Sequence, residues 1–404
     1  MHFLIISDSV PFPPLNGKEL PTAKLFEYIS ARHSVDLLVL SKNKENDLQR
    51  IQNIPINITL INIIKTRNKH KVKRLGNYFI SWNKIVDNFV YDDDIVLETL
   101  KEKKYDWVWI YPLSNVEFIS HCKTLGIHFF SKMAVGLNDS LTYLYRDSIN
   151  ELKGSRQLKR RYVTDWLLSF FIAFREKKLL KTAHLIRVQT NYEEKKLKKV
   201  LGESKKPKIL VAPNGTKEEL FKCSYQGIDS PYILFMTHLD GGRIDESSWF
   251  IKKVWPIIIK QIPETRLLIV GKPPKKILPH LQQYKSIITH GYASDLVALY
   301  NQIRIAVIPT FHGTGLINRI LDALSAGVPA VSTPNAIATF TDLNPGEHIL
   351  SAKTPGNFAQ QVIDLYNDKP RRLQLAEAGR KFALQFPTWK TSCEIIEDTL
   401  IELI

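Results

Sequence analysis

The residues best suited to chemistry lie in one segment, Pro309 to Thr333, which reads PTFHGTGLINRILDALSAGVPAVST. It follows the apolar run IAVI of Ile305 to Ile308, so Gly313-Thr314-Gly315 stands at a strand end and just ahead of a helix. Glycines there let the backbone approach a ligand closely, and the first N–H groups of a helix have no intrahelical acceptor. A diphosphate is the natural occupant of such a terminus. Arg319 comes one turn into the helix, placed for charge-assisted hydrogen bonds to phosphate. Asp322 lies further along near the same face. A carboxylate beyond the phosphate can accept from two ribose hydroxyls, provided the nucleoside runs alongside the helix. The residues alone also allow a plainer reading, a turn glycine pair followed by a solvated Arg and Asp.

Such a segment needs a strand–helix–strand scaffold, and the chain supplies two sets. Phe3 to Ser7 is apolar without alternation, as in a strand covered on both faces. The loop PFPPLNGKELP, a helical pattern through Ala23, Phe26 and Ile29, and the strand Val35 to Leu40 complete a βαβ unit. Further strands are expected at Ile56 to Ile64, Trp107 to Ile110, Ile127 to Phe130, Leu185 to Thr190 and Ile209 to Val211. Ala212-Pro213-Asn214-Gly215-Thr216 then marks a turn between domains. The pattern restarts with strands at Tyr232 to Met236, Arg266 to Val270, Ile287 to Thr289, Ile305 to Ile308 and Ala330 to Thr333. Helices are expected around Trp249 to Ile259, Asp295 to Asn301 and Asn318 to Ser325, with a last one over Thr391 to Leu403. The expected fold class is α/β, two facing Rossmann-like doubly wound parallel-sheet domains with ligands in the crevice between them. The domains span residues 1–213 and 214–385, with a terminal helical segment at 386–404.

The 313–331 stretch resembles the donor-site signature of retaining glycosyltransferase family four, which has the two-domain GT-B architecture. The subgroup it is similar to carries Gly-Thr-Gly-Leu-Lys-x-Lys-x-x-Glu-Ala before Gly-x-Pro-Val-Val. Here stand Gly313-Thr314-Gly315-Leu316-Ile317-Asn318-Arg319-Ile320-Leu321-Asp322-Ala323 and Gly327-Val328-Pro329-Ala330-Val331. Ile317 replaces the first lysine, Arg319 the second, and Asp322 shortens the glutamate by a methylene. The resemblance extends over most of the chain. PFPPLNG, ending at Gly17, resembles the N-terminal glycine loop that faces the donor phosphates. VAPNGTKEELF resembles the interdomain linker, with Thr216 and Lys217 where valine and aspartate are common. Gly346-Glu347-His348-Ile349-Leu350 matches the subgroup, and Trp389 resembles the aromatic ahead of a final helix that crosses back onto the N-terminal domain.

The resemblance implies an acceptor-binding N-terminal domain, a C-terminal domain that binds a nucleoside diphosphate sugar, and transfer with retention of configuration. Most members place an Arg and a Lys after the first strand of the C-terminal domain. Here, in Thr237 to Asp245, Arg243 is present and no lysine follows at the usual spacing. The donor contacts are then expected from Gly17, Arg243, Gly313, Thr314, Gly315, Leu316, Ile317, Arg319 and Asp322. Gly291 and Tyr292, in the loop Gly291-Tyr292-Ala293-Ser294, are expected to help choose the base and sugar. Arg243, Arg319 and the amides of Gly315 and Leu316 would stabilise the departing diphosphate, so that no metal or other cofactor is required. Asp139, in Gly136-Leu137-Asn138-Asp139-Ser140, is the candidate near the acceptor; an Asp capping the next helix is its plain reading. His121 and His128 are the other polar candidates there.

The formal net charge is +16, from 56 basic and 40 acidic residues, which favours anionic partners. Basic stretches fall at Lys65 to Arg74, Lys153 to Arg161 and Lys195 to Lys208. Trp166, Phe170, Phe171 and Phe174, beside Arg175, Lys177 and Lys178, suit an anionic membrane surface bearing a glycan or lipid-linked acceptor. No zinc spacing or basic–aromatic interleaving on strands supports nucleic-acid binding. The three cysteines, Cys122, Cys223 and Cys393, are far apart, as suits a reducing cytosol. No signal peptide or membrane span is expected, which places the protein in the cytoplasm with access to the inner membrane face. Asp92-Asp93-Asp94 reads as a helix-capping turn rather than a metal ligand set. A homo-oligomer stays open. Two other function classes remain beside the transferase, a non-catalytic GT-B partner of another transferase and a different sugar-nucleotide enzyme such as an epimerase.

Overall fold

Two units divide the chain, Met1–Ala212 together with Ser392–Ile404, and Pro213–Thr391. The computed structural model describes residues 1–14, 17, 19–41, 43–51, 61–63, 67–68, 89–137, 140–143, 146, 159–202, 206–236, 244–271, 273, 277–311 and 315–404.

The strands of the first unit are β1 (His2–Ser7), β2 (Ser34–Val39), β3 (Ile61–Ile63), β4 (Arg67–Asn68), β5 (Phe89–Val90), β6 (Tyr105–Ile110), β7 (Phe130–Gly136), β8 (Leu185–Val188) and β9 (Lys208–Val211). Seven form a parallel sheet in the order β3-β2-β1-β6-β7-β8-β9, while β4 and β5 pair separately and antiparallel. Its helices are α1 (Glu19–Ser30), α2 (Lys44–Ile51), α3 (Asp93–Leu100), α4 (Val116–Thr124), α5 (Lys159–Leu180) and α6 (Asn191–Leu201). The period-two alternation of β1 sends Leu4 and Ile6 into one apolar cluster and Phe3 and Ile5 into another. Both faces are therefore core, which is why the strand reads as an unbroken apolar run.

The second unit repeats the plan. Its strands are β10 (Tyr232–Met236), β11 (Arg266–Val270), β12 (Ile287–Gly291), β13 (Ile305–Ile308), β14 (Ala330–Ser332) and β15 (Leu350–Ser351). They form a parallel sheet in the order β12-β11-β10-β13-β14-β15. The helices are α7 (Ile244–Trp249), α8 (Trp255–Gln261), α9 (Leu278–Leu281), α10 (Leu296–Tyr300), α11 (Asn318–Ser325), α12 (Pro334–Ile337), α13 (Pro355–Asn367) and α14 (Lys369–Ala383). Ile233, Phe235, Ile305 and Val307 face one core, Leu234, Ala306 and Ile308 the other. Each unit is thus a Rossmann-like, doubly wound parallel sheet.

The last helix, α15 (Trp389–Glu402), begins in the second unit and continues into the first. Cys393, Ile396 and Leu400 join the cluster around Trp107 and Trp109. Trp107 Nε1 donates to the Leu400 carbonyl at 3.2 Å, and the Glu397 carboxylate takes Tyr28 Oη at 3.0 Å and His33 Nε2 at 2.7 Å.

Two elements differ from the sequence expectation. The strand anticipated at Ile127 to Phe130 begins only at Phe130. Gly126, at φ +73°, ends α4, and Ile127 N bonds back to the Cys122 carbonyl, so Ile127 serves the helix end. The helix expected around Trp249 to Ile259 is interrupted by a wide turn over Phe250–Val254, where Trp255 N reaches the Phe250 carbonyl. Pro256 follows; it has no N–H to continue the regular ladder, and the wider turn absorbs the mismatch. Of the strand expected at Ile56 to Ile64, residues 56–60 and 64 lie outside the described residues. Asp92 caps α3, accepting from Ile95 N at 3.4 Å.

Candidate functional site

The strand order of the second unit reverses between β10 and β13, which pair through Ile233–Ile305 and Leu234–Ala306. At such a reversal the flanking connections leave to opposite faces and open a crevice at the strand C-termini. Arg319, in the first turn of α11, sits there. Its Nη1 donates to the Met236 carbonyl at the end of β10 at 2.8 Å. Its Nη2 donates to Thr310 Oγ1, just past β13, at 2.9 Å. The carboxylate of Glu246 on α7, with 4% of its side chain exposed, lies 3.9 Å from Nη2. Its other oxygen accepts from Phe311 N at 3.2 Å. The planar guanidinium presents its donors in a fixed fork and so holds both strand ends in one geometry.

The local sequence explains the placement of α11. Leu316 and Ile317 are buried in the core, so the chain dives inward before the helix, and Ile320 N bonds to the Ile317 carbonyl at 2.9 Å. Gly327, at φ +70°, stops the helix after Ser325, and Val328 N returns to the Ala323 carbonyl. Ile320, Leu321, Ala323 and Leu324 anchor the helix in the core. Arg319 and Asp322, three apart, share another side.

Asp322 is buried, and its Oδ2 accepts from Lys217 Nζ at 2.7 Å. One turn earlier on α11, Asn318 Oδ1 accepts from Asn214 Nδ2 at 3.0 Å. The 214–217 segment therefore lies along α11 with two polar contacts. It is also tied to the segment before α15, for Thr216 N donates to the Pro387 carbonyl at 3.0 Å. A Cβ on Gly215 would stand 2.1 Å from Trp389 N and 2.3 Å from its Cα, so only glycine permits this approach. Tyr300, fully buried behind the site, has its phenol pushed well above the ordinary range, by burial first and then by the Asp322 charge. Its hydroxyl meets Met236 Sδ at 3.4 Å.

Two strands across the sheet, β12 ends at Gly291, φ +76°, whose carbonyl accepts from Gly271 N at 2.5 Å. Tyr292 follows with 62% of its surface exposed, an aromatic face at the same C-terminal edge. Past β13, Phe311 packs edge-on to Trp249 at 5.0 Å, and its carbonyl accepts from Asn335 Nδ2 at 2.9 Å.

The second unit thus collects Arg319, Asp322, Gly315, Leu316, Ile317, Gly291 and Tyr292 at the C-terminal edge of one sheet. The side chains of Leu316 and Ile317 belong to the core. Gly313, Thr314, Arg243 and Asp139 lie outside the described residues. Gly17 occupies an exposed turn in the first unit. His121 bonds Asp93 at 2.7 Å and lies against the Tyr91 ring at a tilt, and His128 precedes β7.

Sequence reasoning placed Asn214 in the interdomain turn and marked Lys217 as a departure from the linker pattern, but assigned neither to the site, and it did not single out Glu246 or Glu176. Glu176 on α5 is buried, and its carboxylate accepts from Ser140 Oγ at 3.0 Å, Leu141 N at 2.9 Å and Thr142 N at 3.1 Å, with Thr142 Oγ1 as a further donor. It fixes the segment that directly follows Asp139. Burial pushes its carboxyl above the ordinary range, against the pull of those donors. Among the described residues no group of three or more His, Cys, Asp or Glu converges on a common point, and no helix is long and apolar enough to cross a membrane.

Residues 230–368 match the family described as glycosyl transferases group 1. Over 382 residues the chain is 25% identical to an uncharacterized 44.6 kDa protein in the cps region of Klebsiella pneumoniae, covering 89% of this chain and 90% of that one. Among solved structures it is similar to sucrose-phosphate synthase from Thermosynechococcus elongatus, with a TM-score of 0.70 and 15% identity over 100% of this chain and 98% of the other. It is similar also to Anabaena HepE in complex with UDP and glucose, with a TM-score of 0.63 and 14% identity over 98% of each chain. WaaG, a glycosyltransferase involved in lipopolysaccharide biosynthesis, superposes with a TM-score of 0.60 at 15% identity over 99% of each. The chain has the GT-B glycosyltransferase fold, and the group 1 match falls within its second unit.

Proposed function

We propose that the chain is a retaining glycosyltransferase that moves a sugar from a nucleoside diphosphate sugar to a glycan or lipid-linked glycan acceptor, in the synthesis of cell-surface polysaccharide or glycoconjugate. The observation that carries this reading is Arg319, held at the strand-order reversal of the second unit with Asp322 three residues on. As the bond from the anomeric carbon to the diphosphate stretches, negative charge grows on the leaving oxygen. Arg319, the N-terminal end of α11 and Arg243 stabilise it there, a preorganised contribution of the kind that dominates many enzymes. The acceptor hydroxyl attacks the anomeric carbon on the face the diphosphate leaves, and its proton passes to the departing phosphate oxygen. Asp322 accepts from the ribose hydroxyls, and Tyr292 offers an aromatic face to the base.

The first unit takes the acceptor, with Asp139 beside it. HepE has been solved with UDP and with UDP-glucose, and the Klebsiella relative is described as lying in the cps region; both support a sugar-nucleotide donor and a surface-polysaccharide setting. A lipid-linked acceptor fits α5, where Trp166, Phe170, Phe171 and Phe174 are exposed beside Lys177 and Lys178. Such a face suits the cytoplasmic surface of an anionic membrane.

The test is a thermal-shift panel of UDP-, GDP-, ADP- and dTDP-sugars, followed by calorimetry. A donor at about 100 times its Kd stabilises the fold by about 2.7 kcal/mol. If no member of the panel stabilises the protein, the reading fails. A non-catalytic GT-B partner is favoured instead by two departures in the sequence, the absence of a lysine at the usual spacing after Arg243 and the shortened carboxylate at Asp322. Donor binding without transfer to any acceptor extract would support that alternative.

A further inference from the structure

We infer that Lys217 is the residue that sets the Asp322 carboxylate for a ribose, and thereby makes the site select ribonucleotides. This inference rests on the donor reading above. Asp322 has 9% of its side chain exposed, and a carboxylate so buried requires a charged or hydrogen-bonding partner. Among the described residues that partner is Lys217, whose ammonium takes Oδ2 at 2.7 Å; no bond to Oδ1 is found. A carboxylate offers about four lone-pair positions, so an ammonium on one oxygen leaves the other able to accept from hydroxyls.

The geometry of Lys217 is imposed from its backbone. Asn214 bonds Asn318, one turn before Asp322 on the same helix. Thr216 bonds the Pro387 carbonyl, and Gly215 is pressed against the Trp389 backbone. Leu220 N closes on the Lys217 carbonyl at 3.0 Å. With residues on both sides of Lys217 held in this way, the side chain is directed along α11 at Asp322, and the carboxylate is fixed in rotation.

The pair also settles the electrostatics of the site. A lone carboxylate one turn from a diphosphate would repel it, and the repulsion grows as water is excluded. Lys217 makes the Lys–Asp pair neutral, so Asp322 can serve the ribose without weakening the phosphate end. No lysine follows Arg243 at the spacing usual in the resembling family, and a cation reaches Asp322 from the linker.

Isothermal calorimetry on the full chain tests this, with UDP, GDP and ADP as probes and then the 2′,3′-dideoxy form of whichever binds. The wild type is expected to prefer the ribose form by tenfold or more. Lys217→Met is expected to bind the ribose form about tenfold more weakly and to lose most of that preference, while Lys217→Arg keeps it. Asp322→Asn is expected to abolish the preference, and Lys217→Met added to it to change ribose-form binding no further. Melting curves of each variant show whether the unit remains folded, and Lys217→Arg carries the test if Lys217→Met does not. An unchanged ribose preference in Lys217→Met, or tighter ribose-form binding, would overturn the inference while leaving the donor reading intact. Failure of all three diphosphates to bind the wild type would overturn the inference, and the donor reading falls with it if the dTDP-sugar of the panel also fails to stabilise the protein.

Discussion

Replacing Arg319 by Met removes the guanidinium and keeps much of the length of the side chain. Two hydrogen bonds from a charged donor are lost, to the Met236 carbonyl and to Thr310 Oγ1. Each contributes about 1.5 kcal/mol. The buried Glu246 carboxylate loses the cation 3.9 Å away, which adds about 1 kcal/mol. The sum, about 4 kcal/mol, divided by a urea m-value of about 2.5 kcal/mol/M, lowers the midpoint of the second unit by about 1.5 M. Hydrogen exchange in peptides spanning β11 and β13, followed against urea, reads that unit without averaging over the first. Sugar transfer is expected to fall by at least about 100-fold. Arg319→Met with Glu246→Gln separates the two effects, because neutralising the carboxylate restores part of the stability and none of the phosphate contact. An Arg319→Met midpoint equal to wild type would refute the bridging geometry. Full nucleotide affinity in the double variant would refute the phosphate role.

Gly215→Ala puts a Cβ about 2 Å from the Trp389 backbone. It should destabilise by more than about 3 kcal/mol, read as a lowered melting temperature and loss of protection at Thr216. Glu176→Gln presents an amide nitrogen to donors, at a cost of about 1–2 kcal/mol. Because burial raises the Glu176 carboxyl in the fold, its contribution to stability is complete below the ordinary carboxylate pKa and declines as pH rises through the raised value. Denaturation curves should therefore show the wild-type advantage over Glu176→Gln narrowing as the pH rises above the ordinary carboxylate range. Phe171→Ser with Phe174→Ser, at positions 56% and 71% exposed, should leave stability within about 0.5 kcal/mol while weakening sedimentation with phosphatidylglycerol vesicles. Unchanged vesicle binding would remove α5 from the membrane reading.

Much of the fold was legible because strands covered on both faces leave unbroken apolar runs. HFLIIS, YILFM, RLLIV and IAVI each became a strand within a residue or so of its expected bounds. Where side chains serve a helix end, as at Ile127, or a proline breaks the ladder, as at Pro256, hydrophobicity alone misplaced the boundary. The candidate site was legible where its proposed residues share one short helix. Arg319 and Asp322 are three positions apart, and any helix brings them to one side. Their partners were not legible. Met236 stands 83 residues from Arg319, and Lys217 stands 105 from Asp322. No local pattern marks either pair.

By itself the sequence determined that two α/β sheets form, where most of their strands lie, and that a glycine turn precedes a helix bearing an arginine and a carboxylate. Burial on both sheet faces and the helical repeat are properties of neighbouring residues, so they are written locally. Only the tertiary structure decided that the strand order reverses between β10 and β13, that one guanidinium spans that reversal, and that a linker lysine closes on the carboxylate. These depend on which distant segments return to the same place, and that is fixed by packing the whole core rather than by any stretch of it.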